Sequence, residues 1–356
     1  MQPTARELML DILNYRKVDR MPVIHWAGWR ETRERWLTEG LPKDQSEHAF
    51  FNAAPMGSGL GINVGLFPEF KEETIEETAA YRIFRQNDGV IAQHWKEKSC
   101  IPHFIDFTLK DRDGWAEYKK RLQPDPARIP ADFKERIKKA RASGTIVTQS
   151  TAAMIGWVRN WMGVENMAYL SCDDRDLFRE MAMTIADLVV WALDQIPKDV
   201  QIDAGWGWED ICFRTGPLVS PEIFKDVAVP GYRKIADKLH ARGTKFFVVD
   251  CDGYINDLVP LWLESGVNVM FPIEIGAWKA DPADYRKRYG KDLLIYGGVD
   301  KLEFEKGPAA IDAEIKRRVP LMKQGGFIPL PDHLITPDTS LVNYQYYLEA
   351  LRKLRF

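Results

Sequence analysis

The stretch Phe246-Phe247-Val248-Val249-Asp250-Cys251-Asp252-Gly253 constrains the fold more than any other in the chain. Four apolar residues, β-branched or aromatic, run straight into two acids and a glycine. This is the pattern of a parallel strand buried on both faces and ending at a polar loop. In parallel α/β folds the carboxyl ends of strands are where chemistry is placed. Side chains two apart on a strand share a face, so Asp250 and Asp252 point one way and Cys251 the other. Either the two acids face a common mouth, or they cap the next helix as N-cap residues do.

Composition narrows the setting. At 45% hydrophobic and 28% charged, the 356-residue chain can bury a large core, enough for one α/β barrel. Its 49 basic and 52 acidic residues give a net charge of -3, without the basic excess of a nucleic-acid binder. No apolar run reaches membrane-spanning length, and the first residues show no apolar signal core. Cys100, Cys172, Cys212 and Cys251 are far apart and form no CxxC pair, which argues against a disulfide frame or a cysteine zinc site. A cytoplasmic enzyme without membrane or nucleic-acid partners is expected.

Taken in order, the pattern predicts a helix from Thr4, a first strand at Val23 to Trp26, and a second at Leu60 to Leu66. Residues 71–105 read as an excursion from the main fold, a lid or edge. Asp88-Gly89 there forms the turn of a hairpin between two alternating runs. Further strands are expected at 145–149, 200–204, 246–250, 267–272, 293–296 and 327–330, most of them followed by a helix. Asp173 to Ile196 is the longest such helix, and Ser220-Pro221 is an N-cap followed by a first-turn proline. Eight such units in one domain, 1–356, most simply make a (β/α)8 TIM barrel; a doubly wound sheet is the alternative. In a barrel His25, Arg30, Glu209, Asp210, Asp250, Asp252, Glu274, Asp300 and His333 converge at one end. Several tryptophans, among them Trp26, Trp29, Trp157, Trp206 and Trp208, sit beside strand ends and suggest an apolar pocket.

Three stretches carry a family resemblance. They are Pro22-Val23 with Ala27-Gly28-Trp29-Arg30, the run Gly216-Pro217-Leu218-Val219-Ser220-Pro221-Glu222-Ile223-Phe224 with Pro230-Gly231-Tyr232, and Phe327 to Asn343. Together and in order, they resemble the uroporphyrinogen decarboxylase superfamily, which also contains the cobalamin-dependent methyltransferases. The resemblance implies two activities with different residues. The decarboxylases use two N-terminal arginines and an aspartate after the second strand. Only Arg30 matches here, and Leu60 to Pro68 holds no aspartate. The zinc methyltransferases carry His-x-Cys-Gly after strand five, an acid after strand six and a cysteine after strand eight. By the shared glycine, those positions fall on Asp250, Asp252, Glu274 and His333. All four can ligate and none is sulfur, so a divalent ion here would be zinc or a harder metal. A metal-free hydrogen-bonded network of the same groups is the alternative.

The resemblance therefore implies a methyltransferase for a small, oxygen-linked methyl donor, with the corrinoid supplied by a partner protein. Candidates for the chemistry are Asp250, Asp252, His333 (with Asp332 behind it) and Glu209. Candidates for holding substrate are His25, Trp26, Arg30, Trp206, Trp208 and Asp210. A carboxy-lyase holding its substrate through Arg30, and a barrel that only binds a ligand, are the competing readings. A monomer or homodimer fits each.

Overall fold

The computed structural model describes residues 2–97, 101–276 and 278–356. Cys100 and the end of the predicted hairpin fall outside them.

Seven parallel strands follow one another in chain order around a single sheet: Ser58–Gly59, Val147–Ser150, Ala204–Trp208, Phe246–Asp250, Val269–Phe271, Leu294–Tyr296 and Phe327–Ile328. The first predicted strand is too short to count as one, yet it joins the two ends of this sheet. Ile24 bridges to Ala54, and Gly28 bridges to Ile335, both in parallel. Backbone bonds from His25 N–H to the Ala54 oxygen (2.9 Å) and from Trp29 N–H to the Ile335 oxygen (3.2 Å) make those joins. The eight positions of a TIM barrel are thus occupied, with helices outside.

The Phe246–Asp250 strand matches its expected span. Its even-numbered residues lie in register with Ala204, Trp206 and Trp208 on one side, and Val248 and Asp250 with Val269 and Phe271 on the other. These residues line the barrel interior; Phe247 and Val249 face the helices. No helix begins at the two acids: the next, Val259–Glu264, starts after Leu258 without a side-chain cap. The helix-cap reading of Asp250 and Asp252 is therefore excluded.

Two strands lie elsewhere than expected. Leu60, Ile62, Val64 and Leu66 are buried, but as a loop, because side chains take the place of a neighbouring strand. Gln149 donates to the Ile62 oxygen at 2.9 Å, and Arg128 donates to the Asn63 and Gly65 oxygens. The second strand is instead Ser58–Gly59. The fourth runs through Ala204–Trp208, where alternating glycine and tryptophan resemble a loop in sequence. The glycines are there for space. A Cβ on Gly205 would stand 2.6 Å from Leu239 Cδ1 of the helix Val229–Ala241. Trp206 and Trp208 accordingly belong to the strand and not to the loop after it.

The excursion is larger than a hairpin. Glu73–Glu77, Tyr81–Arg85, Val90–Trp95 and His103–Phe107 form a four-stranded antiparallel sheet in chain order. The Asp88-Gly89 turn is as expected, with Asp88 Oδ1 accepting from Val90 N–H at 3.0 Å. Thr4 and Glu7 form the capping box of Ala5–Leu13. Ser220 caps Pro221–Val227, and Leu177, Met181, Ile185, Leu188 and Val189 bury one stripe of Arg175–Gln195. Among the described residues no helix is long and apolar enough to cross a membrane.

Candidate active site

An aromatic floor closes the barrel just below the mouth. Phe271 lies at its centre, with ring centroids 4.8 Å from Trp26, 5.5 Å from Trp206 and 5.5 Å from Tyr296. Above it stand His333 and the acids. The His333 ring is 5.9 Å from both Trp26 and Trp29, nearly parallel to the latter. His333 Nε2 is 3.1 Å from Asp252 Oδ2. Burial works against a charged imidazole, but the Asp252 hydrogen bond and charge outweigh it and raise the His333 pKa.

Asp250 lies deeper. Burial first, then the charges of Asp252 and Asp210, push its pKa well above the ordinary carboxylate value. No partner opposes that rise: its carboxyl makes no hydrogen bond to the protein among the described residues. Glu274 is also raised, by burial and by Asp252, while its Oε2 accepts from Gly253 N–H at 3.1 Å. Asp210 is raised for the same two reasons, and Arg159 Nη2 holds its Oδ2 at 3.3 Å.

The local backbone explains why the acids stay in place. Gly253 has φ +86, and a Cβ there would sit 2.6 Å from the Cys212 carbonyl oxygen. Gly253→Ala is expected to cost ~1–3 kcal/mol in urea unfolding and to displace Asp252. A midpoint equal to wild type would count against that constraint.

Several candidate residues do not meet in the mouth. His25 is buried with both ring nitrogens engaged, Nδ1 by the Tyr344 hydroxyl and Nε2 by Glu47, each at 2.9 Å. It lines a neighbouring cavity of about 450 Å3 with Arg33, Glu47 and His48, which meets the mouth through Trp26. Arg30 lies on the outer face of Arg30–Thr38, close to Glu31 and Glu34 at 3.6 and 3.5 Å. Glu209 is fully buried. It accepts from the N–H groups of Met154, Ile155 and Gly156 at 2.9, 2.6 and 3.0 Å, and from the Tyr232 hydroxyl. It anchors the start of helix Gly156–Asp173 and has no free oxygen for substrate. The side chain behind His333 is Asp252 rather than Asp332. Asp332 instead ties three mouth loops, accepting from Ile275 N–H and Lys301 N–H at 3.0 Å each.

Two mouth residues, Lys301 and Arg159, fall outside the expected set, while Trp29 is one of the tryptophans expected near a strand end. Lys301 sits 3.8 Å from Asp332 and acts electrostatically on Glu274 and His333. Arg159 lies 5.5 Å above the Trp208 ring. Trp29 forms one wall of the His333 slot. Lys301 follows a strand end in the sequence, a position that could have flagged it. Arg159 lies within a helix, and nothing in its neighbours marks it.

Among the described residues no group of three or more His, Cys, Asp or Glu is arranged to hold a metal ion. Asp252 is turned to His333 and Glu274 to a backbone N–H. As they stand, Asp250, Asp252, Glu274 and His333 do not fit a cage.

The model of the uroporphyrinogen decarboxylase family matches residues 151–354, more than half of the chain. The chain belongs to the uroporphyrinogen decarboxylase family. A uroporphyrinogen decarboxylase of Picosynechococcus sp. is 22% identical over 198 residues, 55% of this chain and 53% of that protein. The match thus spans about half the length of that curated relative. A methyltransferase from Methanosarcina mazei superposes with a TM-score of 0.64 at 15% identity, covering 99% of both chains. This likeness extends the shared fold to the whole chain, including the N-terminal part outside the family match.

Proposed function

We propose that the chain is a methyltransferase that takes a methyl group from oxygen on a small, weakly charged molecule. The observation carrying this reading is the Asp252–His333 pair above an aromatic floor, beside a buried Asp250 whose pKa is pushed up. When a methyl–oxygen bond breaks, the electron pair stays on oxygen, and a proton delivered there lowers the barrier. His333 as imidazolium, or Asp250, holds such a proton. Trp26, Trp29 and Trp206 offer flat apolar walls for the body of the donor. The acceptor in this reading is a corrinoid on a partner protein, which supplies the nucleophile. The likeness in fold to a methyltransferase supports the proposal without identifying the substrate.

The balance of charge separates this reading from a carboxy-lyase. Each of the three cations near the mouth already has an acid partner: Arg159 has Asp210, His333 has Asp252 and Lys301 has Asp332. Arg30, the expected carboxylate holder, is paired on its own helix. A substrate with several carboxylates would find these cations already engaged. Methoxybenzenes with a 13C-methyl group, offered with free cob(I)alamin, provide the test. Labelled methylcobalamin is the expected product. Release of carbon dioxide from carboxylated aromatics, independent of corrinoid and without methyl transfer, would assign the lyase instead.

A further inference from the structure

A second cavity, about 470 Å3, adjoins the acidic mouth without sharing its chemistry. It lies between the loops after the Phe246–Asp250 and Val269–Phe271 strands and the helix Pro282–Tyr289. Its walls combine aromatic rings (Tyr254, Trp278, Tyr285) with cations (Lys279, Lys287, Arg288). Among the described residues none of these cations has an ion pair; Arg288 leans on the Tyr289 ring at 6.0 Å. The lining holds two acids. Asp281 is already spent, its Oδ1 accepting from Arg318 at 2.7 Å and from Ala283 N–H at 2.9 Å. Asp284 is exposed. The cavity therefore offers uncommitted positive charge beside flat apolar surface, at a size that suits a small molecule.

We propose that this cavity binds an aromatic anion, a planar ring carrying a phosphate or a carboxylate. The ring would rest among Tyr254, Trp278 and Tyr285, and the anion would meet Lys279, Lys287 and Arg288. The site is coupled to the mouth by short connections. Tyr254 is two residues beyond Asp252, and its N–H binds the Phe213 oxygen at 3.0 Å. Trp278 Nε1 donates to the Glu274 oxygen at 2.8 Å. An occupant touching both rings therefore bears on the two loops that present Asp252 and Glu274.

Calorimetric titration of the full chain with AMP and with benzoate tests this, with adenosine and inorganic phosphate as the half-ligands of AMP and benzyl alcohol and acetate as those of benzoate. AMP or benzoate should bind, and each matching half-ligand at least about tenfold more weakly. The tighter of the two anions assigns phosphate or carboxylate. The exposed double change Lys279→Ala with Arg288→Ala should weaken binding at least about tenfold, whereas Asp252→Asn should leave it intact. The proposal is overturned if neither anion binds at millimolar concentration, or if a half-ligand alone binds as tightly as its anion. It is equally overturned if the double variant is unaffected, or if Asp252→Asn abolishes binding, which would place the ligand in the mouth.

Discussion

Asp252→Asn is expected to lower methyl transfer by about 10²–10⁴-fold while leaving the fold intact, because it removes the partner that keeps His333 charged. The change is nearly isosteric, and Asp252 is partly exposed, so unfolding should shift by no more than ~0.5 kcal/mol. The pH profile carries the sign of the effect. A raised His333 pKa keeps the imidazolium present at higher pH, and activity that needs it falls as pH rises through that value. Without Asp252 the two largest raising influences are gone, only the weaker pull of Glu274 opposes burial, and the fall moves to lower pH. Loss of activity with an unchanged profile would mean that Asp252 acts on something other than His333.

The second large effect is on stability. Glu209→Ala is expected to cost about 3–5 kcal/mol, measured by urea denaturation, since three backbone N–H groups and the Tyr232 hydroxyl lose a buried acceptor. Glu209→Gln keeps the shape but points an N–H₂ group at donors, and should cost less, about 1–3 kcal/mol. Burial raises the Glu209 pKa, and the four donors oppose that rise without reversing it. If Glu209→Ala kept wild-type stability and lost only activity, Glu209 would return to the catalytic set.

The contrast between these two acids shows what could be read from the sequence. Phe246 to Gly253 was legible because strand burial has period two and a run of apolar residues ends abruptly at an acid. The barrel followed from repeating that pattern, and the family match agrees with it. Glu209 and Asp252 look alike in sequence, each an acid beyond a strand. What separates them is the direction of the chain after the strand. Glu209 N–H binds the Asp250 oxygen at 2.7 Å, and its side chain turns under the start of Gly156–Asp173. Asp252 stays in the loop above the barrel, held there by Gly253. His25 misleads in the same way, since the Tyr344 hydroxyl that occupies it comes from the far end of the chain. Alternating Gly and Trp at 205–208 was ambiguous for another reason: glycine marks loops and close helix contacts equally, and only the packing of Leu239 decides.

The proposed methyl transfer rests on Asp252 and His333 acting as one proton-handling unit at the barrel mouth. An NMR titration of the His333 ring nitrogens, in the wild type and in Asp252→Asn, tests this. A wild-type pKa above the ordinary histidine value of about 6.5, and a clear drop in the variant, are expected. A His333 that titrates identically in both proteins would contradict it.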